Sequence, residues 1–480
     1  MSGSLTSYAR HTSSGSSFRQ SDPASQSGPL AILNDKSITL DDLDPRVREL
    51  ANRLDSEIEA ARNRVLADEI DALLFEAEAS RRRISVSRLL AIEVKQRTVD
   101  PTDEEIQTIY DVNRTQMGNA DINAARPQIV AYLRRESAQK LTTDLAARLR
   151  KRYLVVMGTN VNSPQLAVSA TLATVAGRAI PAGPIIERLK PVIYDLRLRV
   201  YEGLSSAVGQ MIDDLLVIDE ARRKGVGPEV IIRTEITDKL RPASEDQIAK
   251  FYEENKAHIT GDLASARNSI VTYLNQQEET RLTRALSDKL RKGMNIHVLL
   301  REPTPPVIAV STDDDPSRGP VTAPVTVVEF TDFQCPSCGA NHPIIDEVTK
   351  SYGDKVRLVI RDFPLDIHEN ALKAAEAANA AFAQGKFFEY IDLLFKNQKA
   401  LDVASLKKYA TEIGLNRARF DSALDTGAYE LEVNHDIIDG VQYGVAGTPT
   451  VFVNGLRVDK LSAETLRAAI DNALAQKKAS

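Results

Sequence analysis

Apolar residues recur at helical spacing through most of residues 30 to 311, interrupted by short strand-like pieces. Two segments of this region each open with such a piece, at residues 32–38 and 174–180. Each continues through amphipathic stretches rich in Ala, Glu, Arg and Leu, and closes on a second apolar stretch, near residues 153–157 and 296–300. The pattern predicts two helical regions that contain only a little strand.

The two segments are copies of one module. A shift of 142 positions, which becomes 141 after a one-residue slip, brings similar residues of the two segments into register. The aligned pairs include Leu73 with Leu215, Glu78 with Glu220, Glu93 with Glu235, Tyr110 with Tyr252, Tyr132 with Tyr273 and Leu145 with Leu286. We therefore predict a duplicated module of about 140 residues, with copies at residues 30–170 and 171–311.

Parts of each copy resemble a known substrate-holding region. Residues 175–180 look like the opening strand and turn of SurA-type and related periplasmic prolyl isomerases and chaperones, and residues 101–106 and 243–248 look like their capped helix. The resemblance implies two all-α repeats that bind unfolded chains. A plain spacer or a dimerisation arm fits the same composition. Prolyl isomerisation is not implied, because no isomerase domain follows either copy.

The pattern changes after residue 320. Residues 325–330 form an apolar run that predicts a buried strand, and residues 337–352 carry apolar side chains at helical spacing. Between them lie Cys335 and Cys338, the only two cysteines in 480 residues. The sequence thus predicts a C-x-x-C motif at a strand-to-helix turn, with Cys335 at the N-terminus of the helix.

Redox chemistry is the favoured interpretation of this cysteine pair. Two cysteines cannot complete a four-thiolate zinc site, and His342 adds one ligand without an evident fourth. An inert disulfide across so short a loop would stabilise little. Pro336 suits the first helical position, and the N–H groups and positive dipole end there predict a lowered pKa for Cys335, the attacking sulfur. Cys338 is expected to be more buried and to resolve the mixed disulfide.

Residues 321–476 resemble the DsbA-like branch of the thioredoxin superfamily. Glu329 matches the family's buried acid, Pro343 matches the proline of its active-site helix, and residues 447–450 match its cis-proline loop. An alanine-rich stretch to about residue 440 looks like the family's helical insertion. The resemblance implies an α/β thioredoxin fold with this insertion, a thiol-disulfide oxidoreductase activity and no organic cofactor.

The resemblance also implies roles for individual residues. A cis bond before Pro449 would place the backbone of Thr448 against the cysteine pair, where a substrate strand could pair. An ordinary trans proline that opens a strand is the alternative. Glu329 would exchange a proton with Cys338 if it is buried, and would be a solvated edge acid if it is not.

Further residues around the motif are candidates for tuning it. Pro336 and Ser337 lie between the cysteines, where this family sets its redox potential. DsbA has Pro-His there, so Ser337 leaves the oxidising strength open. His368 is more typical of a helix cap or packing residue, and His342, one turn beyond Cys338, is a weaker candidate for influencing the charge of the pair.

The remaining segments limit where the protein is expected to act and which partners it is expected to bind. Ten serines and little apolar content in the first 28 residues predict a disordered tail over residues 1–29, without the apolar core of a secretory signal. Proline and aspartate over residues 312–320 predict a linker that lets the C-terminal domain move partly independently. No run of 18 apolar residues predicts a membrane span. The net charge of −6 favours neither nucleic acid nor an anionic membrane as a partner.

The combined prediction is a multidomain protein that forms disulfides in incompletely folded, thiol-containing proteins. An unidentified redox partner would recycle it, and the helical arms would hold substrate or form a homodimer. A disulfide isomerase or reductase is the first alternative, and a holdase chaperone with an auxiliary redox domain is the second. The family resemblance implies a periplasmic or other extracytoplasmic location, with the cytoplasm as the alternative.

Overall fold

The computed structural model describes residues 28–114, 121–256, 259 and 261–479. Almost all of the predicted disordered tail, residues 1–29, lies outside the described residues. The chain forms two compact units, one of residues 28–58 and 195–303 and the other of residues 59–194 and 304–479. None of the helices in the described ranges combines the length and the apolar content that a membrane crossing requires.

The two copies of the module contain matching elements in the same order. The first copy consists of β1 (Ala31–Leu33), β2 (Lys36–Ile38), α1 (Pro45–Asn52), α2 (Leu54–Arg82), α3 (Val86–Glu93), α4 (Asp103–Asn113), α5 (Ile122–Arg152) and β3 (Val155–Met157). The second consists of β4 (Thr171–Val175), β5 (Arg178–Pro181), α6 (Ala182–Lys224), α7 (Pro228–Glu235), α8 (Glu245–Asn255), α9 (Leu263–Arg291) and β6 (Ile296–Val298). The single helix α6 replaces α1 and α2. This order agrees with the duplication that the sequence predicted.

The predicted capped helices begin in the same way in both copies. At the start of α4, Thr102 Oγ1 accepts a hydrogen bond from Glu105 N at 3.2 Å, and Thr102 N donates to the Glu105 carboxylate at 2.7 Å. Ser244 and Gln247 form the same reciprocal pair at the start of α8. These capping boxes satisfy N–H groups that the first helical turn cannot. The prediction of two capped helices is confirmed.

The short strands pair between the copies. Strand β1 lies between β2 and β6, with Leu33 opposite Ile296, while β4 lies between β5 and β3, with Val175 opposite Val155. The closing strand of each copy therefore completes the hairpin that opens the other copy. The prediction of all-α repeats needs this correction, because two three-stranded sheets accompany the helices.

The C-terminal domain is built on a five-stranded sheet in the order β11-β10-β8-β9-β7. Its elements are β7 (Ser317–Arg318), β8 (Val325–Thr331), α10 (Pro336–Ser351), β9 (Val356–Asp362), α11 (Ala371–Phe382), α12 (Phe387–Lys396), α13 (Val403–Glu412), α14 (Arg417–Thr426), α15 (Glu430–Gln442), β10 (Thr450–Val453), β11 (Leu456–Arg457) and α16 (Ala463–Ala479). Strands β8 and β9 are parallel, and α10 connects them, as a parallel pair requires. Helices α11 to α15 form the predicted insertion between β9 and β10.

Strand β8 runs through the centre of this sheet and is covered on both faces. Val325 and Val327 belong to the larger core, together with residues of α10, α12 and α16, whereas Val328 and Phe330 belong to a smaller core on the opposite face. Side chains alternate between the faces of a strand. Glu329 therefore lies on the same face as Val327, beneath the helices of the larger core.

The segment before β8 packs against the sheet. The buried Asp315 pairs with Arg361 Nε at 3.0 Å, and Ile360 N donates to Pro316 O at 3.0 Å. Arg361 is fully buried and also binds Asp436 on α15. The prediction of a loose linker over residues 312–320 is thus wrong for residues 315–318, since a buried arginine needs acidic partners and this segment supplies one.

Candidate active site

The two cysteines lie at the start of α10. Cys335 is the N-cap residue, and Pro336 occupies the first helical turn without leaving an N–H group unsatisfied. Both sulfurs are free thiols, with Cys335 7% exposed and Cys338 fully buried. Pro336 and Ser337 are exposed between them. The structure therefore places the two thiols in different surroundings, as the sequence predicted.

Hydrogen bonds stabilise the thiolate form of Cys335. The Cys338 thiol makes the largest contribution, and backbone N–H groups of Ser337 and Cys338 in the first turn of the helix add to it. Together they lower the pKa of Cys335 to about 5. The predicted direction is confirmed, although the neighbouring thiol contributes more than the helix N-terminus.

Burial has the opposite effect on Cys338. It raises the pKa of the Cys338 thiol far above the ordinary value, and the hydrogen bond to Cys335 raises it further. The hydroxyls of Thr331 and Thr448 partly oppose this rise. No motif in the sequence marks Thr331, although its position as the last residue of a buried strand before the cysteines is a signal that could have found it. Cys335 is thus ready to attack, while Cys338 must first lose a proton.

The loop before β10 reaches the cysteines. The bond between Thr448 and Pro449 is cis, as predicted, and the Cys335 sulfur donates to Thr448 O at 3.5 Å. Strand β10 then pairs with β8, with Thr450 opposite Phe330. The sheet therefore brings Thr448 to the motif from a position more than a hundred residues away.

Glu329 is fully buried, so the interpretation of a solvated edge acid is wrong. Neither of its carboxylate oxygens has a hydrogen-bond donor among the described residues. His342, one helical turn beyond Cys338, places Nδ1 3.6 Å from Glu329 Oε2. A buried acid and a buried histidine thus face each other beneath the active-site helix.

A second acid organises the loop before the motif. The buried Asp332 accepts hydrogen bonds from Gln334 N at 2.7 Å and from Leu365 N at 2.9 Å, and His368 Nδ1 lies 2.7 Å from its Oδ2. His368 therefore joins the loop after β9 to the loop before Cys335. This is the packing role that the sequence favoured for His368.

The insertion also contacts the motif, through Gln398. Its side-chain amide donates to Cys335 O at 2.7 Å and to Phe333 O at 3.1 Å. Gly339 leaves the space for this contact, because a Cβ atom there would lie 2.4 Å from Gln398 Oε1. Gln398 carries no recognisable sequence motif, and only the fold shows that it reaches the active site.

Among the described residues, one group could share a cation, and it lies away from the cysteines in sequence. Glu432, His435 and Asp436 on α15 bring ligand atoms within 4.8 Å of one another. The Asp436 carboxylate already accepts from Arg361 Nε at 2.8 Å and from Asp362 N at 2.8 Å. Arg361 therefore already binds the Asp436 carboxylate that a cation at this group would need as a ligand.

Part of the chain is similar to known proteins. Residues 311–472 match the family model described as thioredoxin. A curated relative, a Na(+)/H(+) antiporter NhaA 3 from Salinispora tropica, is 42% identical over 171 residues, which are 35% of this chain and 26% of that protein. The chain thus spans about a quarter of the length of the curated relatives that it matches.

Solved structures also resemble part of the chain. BdbD from Bacillus subtilis in its oxidised form is 24% identical, with a TM-score of 0.32, over 34% of this chain and 93% of that one. A thioredoxin-like oxidoreductase from Silicibacter pomeroyi is 26% identical, with a TM-score of 0.30, over 34% and 92% of the two chains.

Proposed function

We propose that this chain, whose residues 311–472 form a DsbA-like domain of the thioredoxin superfamily, is a protein thiol-disulfide oxidoreductase. The observation that supports this function best is the asymmetry of its two thiols. Cys335 has a pKa lowered to about 5, whereas burial raises the pKa of Cys338. A thiol pair of this kind has one sulfur that reacts with a partner protein and one that stays protected until it is needed.

The reaction begins with the oxidised pair. A substrate thiolate attacks the Cys335 sulfur, forms a mixed disulfide and displaces Cys338, which leaves as a thiolate and takes up a proton. A second substrate thiolate then attacks the substrate sulfur of the mixed disulfide. Cys335 leaves as a thiolate, and the substrate keeps the new disulfide. The low pKa of Cys335 makes it a good leaving group in this second step.

The same low pKa favours disulfide formation over isomerisation or reduction. Stabilising the thiolate of the reduced pair makes the pair more oxidising. The substrates would be incompletely folded proteins with free thiols, and the compartment would be extracytoplasmic, where disulfides persist. The helical copies would hold such chains or join two protomers. A separate redox partner would reoxidise the pair, because each turnover leaves both cysteines reduced.

Equilibration of the full-length protein with glutathione buffers tests this function. The prediction is a reversible exchange between dithiol and disulfide, with a potential nearer about −120 mV than about −270 mV on the scale of known oxidants and reductants. Mass spectrometry after alkylation measures the two forms directly, because the chain has two cysteines. The variant H297Q, which changes an exposed histidine on β6 and keeps both sulfurs, serves as the matched control.

Two other results of this titration would contradict the proposed oxidase function. A strongly reducing potential would replace the oxidase with the reductase alternative. Cysteines that do not exchange with glutathione at all would refute a redox function.

A further inference from the structure

The buried carboxylate of Glu329 has no hydrogen-bond donor among the described residues. Its side chain is fully buried, and the lack of a donor applies to both carboxylate oxygens. An ionised carboxylate in such a place costs much free energy unless a charge faces it. The Nδ1 atom of His342 lies at ion-pair distance, 3.6 Å from Oε2. His342 is therefore the titratable side chain that faces this carboxylate.

His342 is held firmly in this position. It follows Cys338 by one turn of α10, so both side chains lie on the same buried face of the helix. Its ring stacks on Phe395 with 4.5 Å between the ring centroids and an interplanar angle of 27°. The stack fixes the imidazole with Nδ1 toward Glu329.

The other ring nitrogen points toward the surface. His342 Nε2 lies 3.8 Å from Asp392 Oδ1 on α12, and the side chain of Asp392 is 55% exposed. Glu329, by contrast, has no exposed atoms. The three side chains thus form a line from the buried side of the motif to solvent, with the imidazole in the middle.

Three carboxylates influence the charge of this imidazole. They are Glu329 from β8, Asp392 from α12, and Asp346 one turn further along α10. Burial alone would lower the pKa of His342, but these acids, with Glu329 first, raise it above the ordinary value. An imidazole with such neighbours can both hold a proton and pass it on.

We propose that His342 relays protons between Glu329 and solvent beside Asp392 while Cys338 changes its protonation state. This proposal depends on the redox function proposed above. His342 is a positioning residue in this scheme, because it acts through Glu329 and does not touch the reacting sulfurs.

The proton balance is simplest in the direction that closes the disulfide. The Cys338 thiol gives its proton to the Glu329 carboxylate, and the resulting thiolate attacks the Cys335 sulfur of a mixed disulfide. The electron pair of the broken bond leaves with the partner's sulfur, and the Cys335–Cys338 bond forms. The Glu329 proton then moves to the free Nδ1 of the neutral His342 imidazole, and the resulting imidazolium releases its Nε2 proton toward solvent. One proton leaves, and the acid–imidazole pair is restored.

The test compares H342Q with wild type and with H297Q, a control that changes an exposed histidine on β6. Each full-length protein is converted to its mixed disulfide with glutathione, and acid-quenched samples are alkylated and weighed to follow closure of the disulfide between pH 5 and 9. The expected result is closure about tenfold slower in H342Q at pH 7, less than the loss of a direct acid–base group would cause, with an altered pH profile. H297Q should match wild type.

A second measurement separates a proton relay from a structural role. NMR titration of the imidazole, assigned with H342Q, should give different pKa values for His342 in the oxidised and reduced protein, because only the reduced form holds the Cys338 proton. D392N, a surface change that leaves the core intact, should slow closure in the same direction.

The possible failures are distinct. If wild type closes its disulfide and H342Q does so at the same rate with the same pH profile, or if the His342 pKa is identical in both redox states, the relay is refuted. If wild type itself does not exchange with glutathione, the proposed function fails.

Discussion

Glu78 and Glu329 are both fully buried, and their surroundings are opposite. Glu78 on α2 accepts hydrogen bonds from Arg81, Arg82, Arg152 and Tyr153, at distances between 2.6 and 2.9 Å. These bonds, with that of Arg81 first, hold the pKa of Glu78 well below its ordinary value. Glu329 on β8 accepts no hydrogen bond from the described residues and faces one histidine.

The difference separates a structural acid from one that can take part in chemistry. A carboxylate with its oxygens saturated by cationic donors stays ionised and fixes the geometry of its neighbours. A carboxylate with a single titratable partner can change its protonation state with little rearrangement. Burial alone therefore does not indicate the role of an acid, whereas the number and kind of its donors do.

Removing the charge of Glu78 should have the largest effect on stability. The substitution E78Q leaves three guanidinium groups without their shared anion, and we expect a loss of about 3 kcal/mol, near the lower end for a broken buried pair because the arginines can turn to solvent. Thermal unfolding measures the loss. The rate of disulfide exchange should not change.

The second copy of the module supplies the matched control. Glu220, the counterpart of Glu78, pairs with the exposed side chains of Arg223 and Lys224. The second copy has no arginine or tyrosine at the positions that align with Arg152 and Tyr153. E220Q should therefore unfold close to the wild-type temperature. Equal destabilisation by E78Q and E220Q would show that the number of donors does not matter.

The substitution E329Q should give the converse result. The amide cannot accept a proton from Cys338, so exchange at pH 7 should fall about a hundredfold, the range for loss of a general acid–base group. Unfolding should change less than in E78Q, because no cationic network loses its anion. Glutathione exchange and thermal unfolding of the same preparation measure both effects. An E329Q protein that is strongly destabilised but exchanges normally would reverse the assignment.

Local patterns predicted the C-terminal site well. A buried strand, two cysteines and a helix are contiguous in sequence. The position of the cysteines at the helix N-terminus, the deeper burial of Cys338 and the lowered pKa of Cys335 could therefore be predicted from residues 325–352. The cis bond before Pro449 came from a motif resemblance and is confirmed. The contacts of Gln398 and the His342–Asp392 pair could not be predicted, because single polar residues on separate helices carry no pattern that brings them together.

The helical region was less predictable for a different reason. The repeat gave the order of helices and their capping boxes, since both depend on neighbours in sequence. The exchange of β3 and β6 between the copies depends on pairings far apart in the chain, and three-residue strands carry too little alternation to specify a partner. The acidic partners of Arg361 likewise could not be predicted from the sequence, because they come from α15 and from the segment that was predicted to be a linker.

The pH dependence of the reduced protein follows from the same asymmetry. The folded state lowers the pKa of Cys335 to about 5, below the ordinary value of about 8.5 in an unfolded chain. This thiolate therefore stabilises the folded, reduced protein fully above the unfolded value, and the stabilisation is lost as the pH falls through about 5.

Thiolate absorbance of the reduced protein as a function of pH tests the central claim most directly, with C335A as the reference. The account predicts one thiolate that titrates near pH 5 and disappears in C335A, while Cys338 remains protonated through neutral pH. A single midpoint near the ordinary thiol value of about 8.5, or an acidic thiolate that survives in C335A, would contradict it.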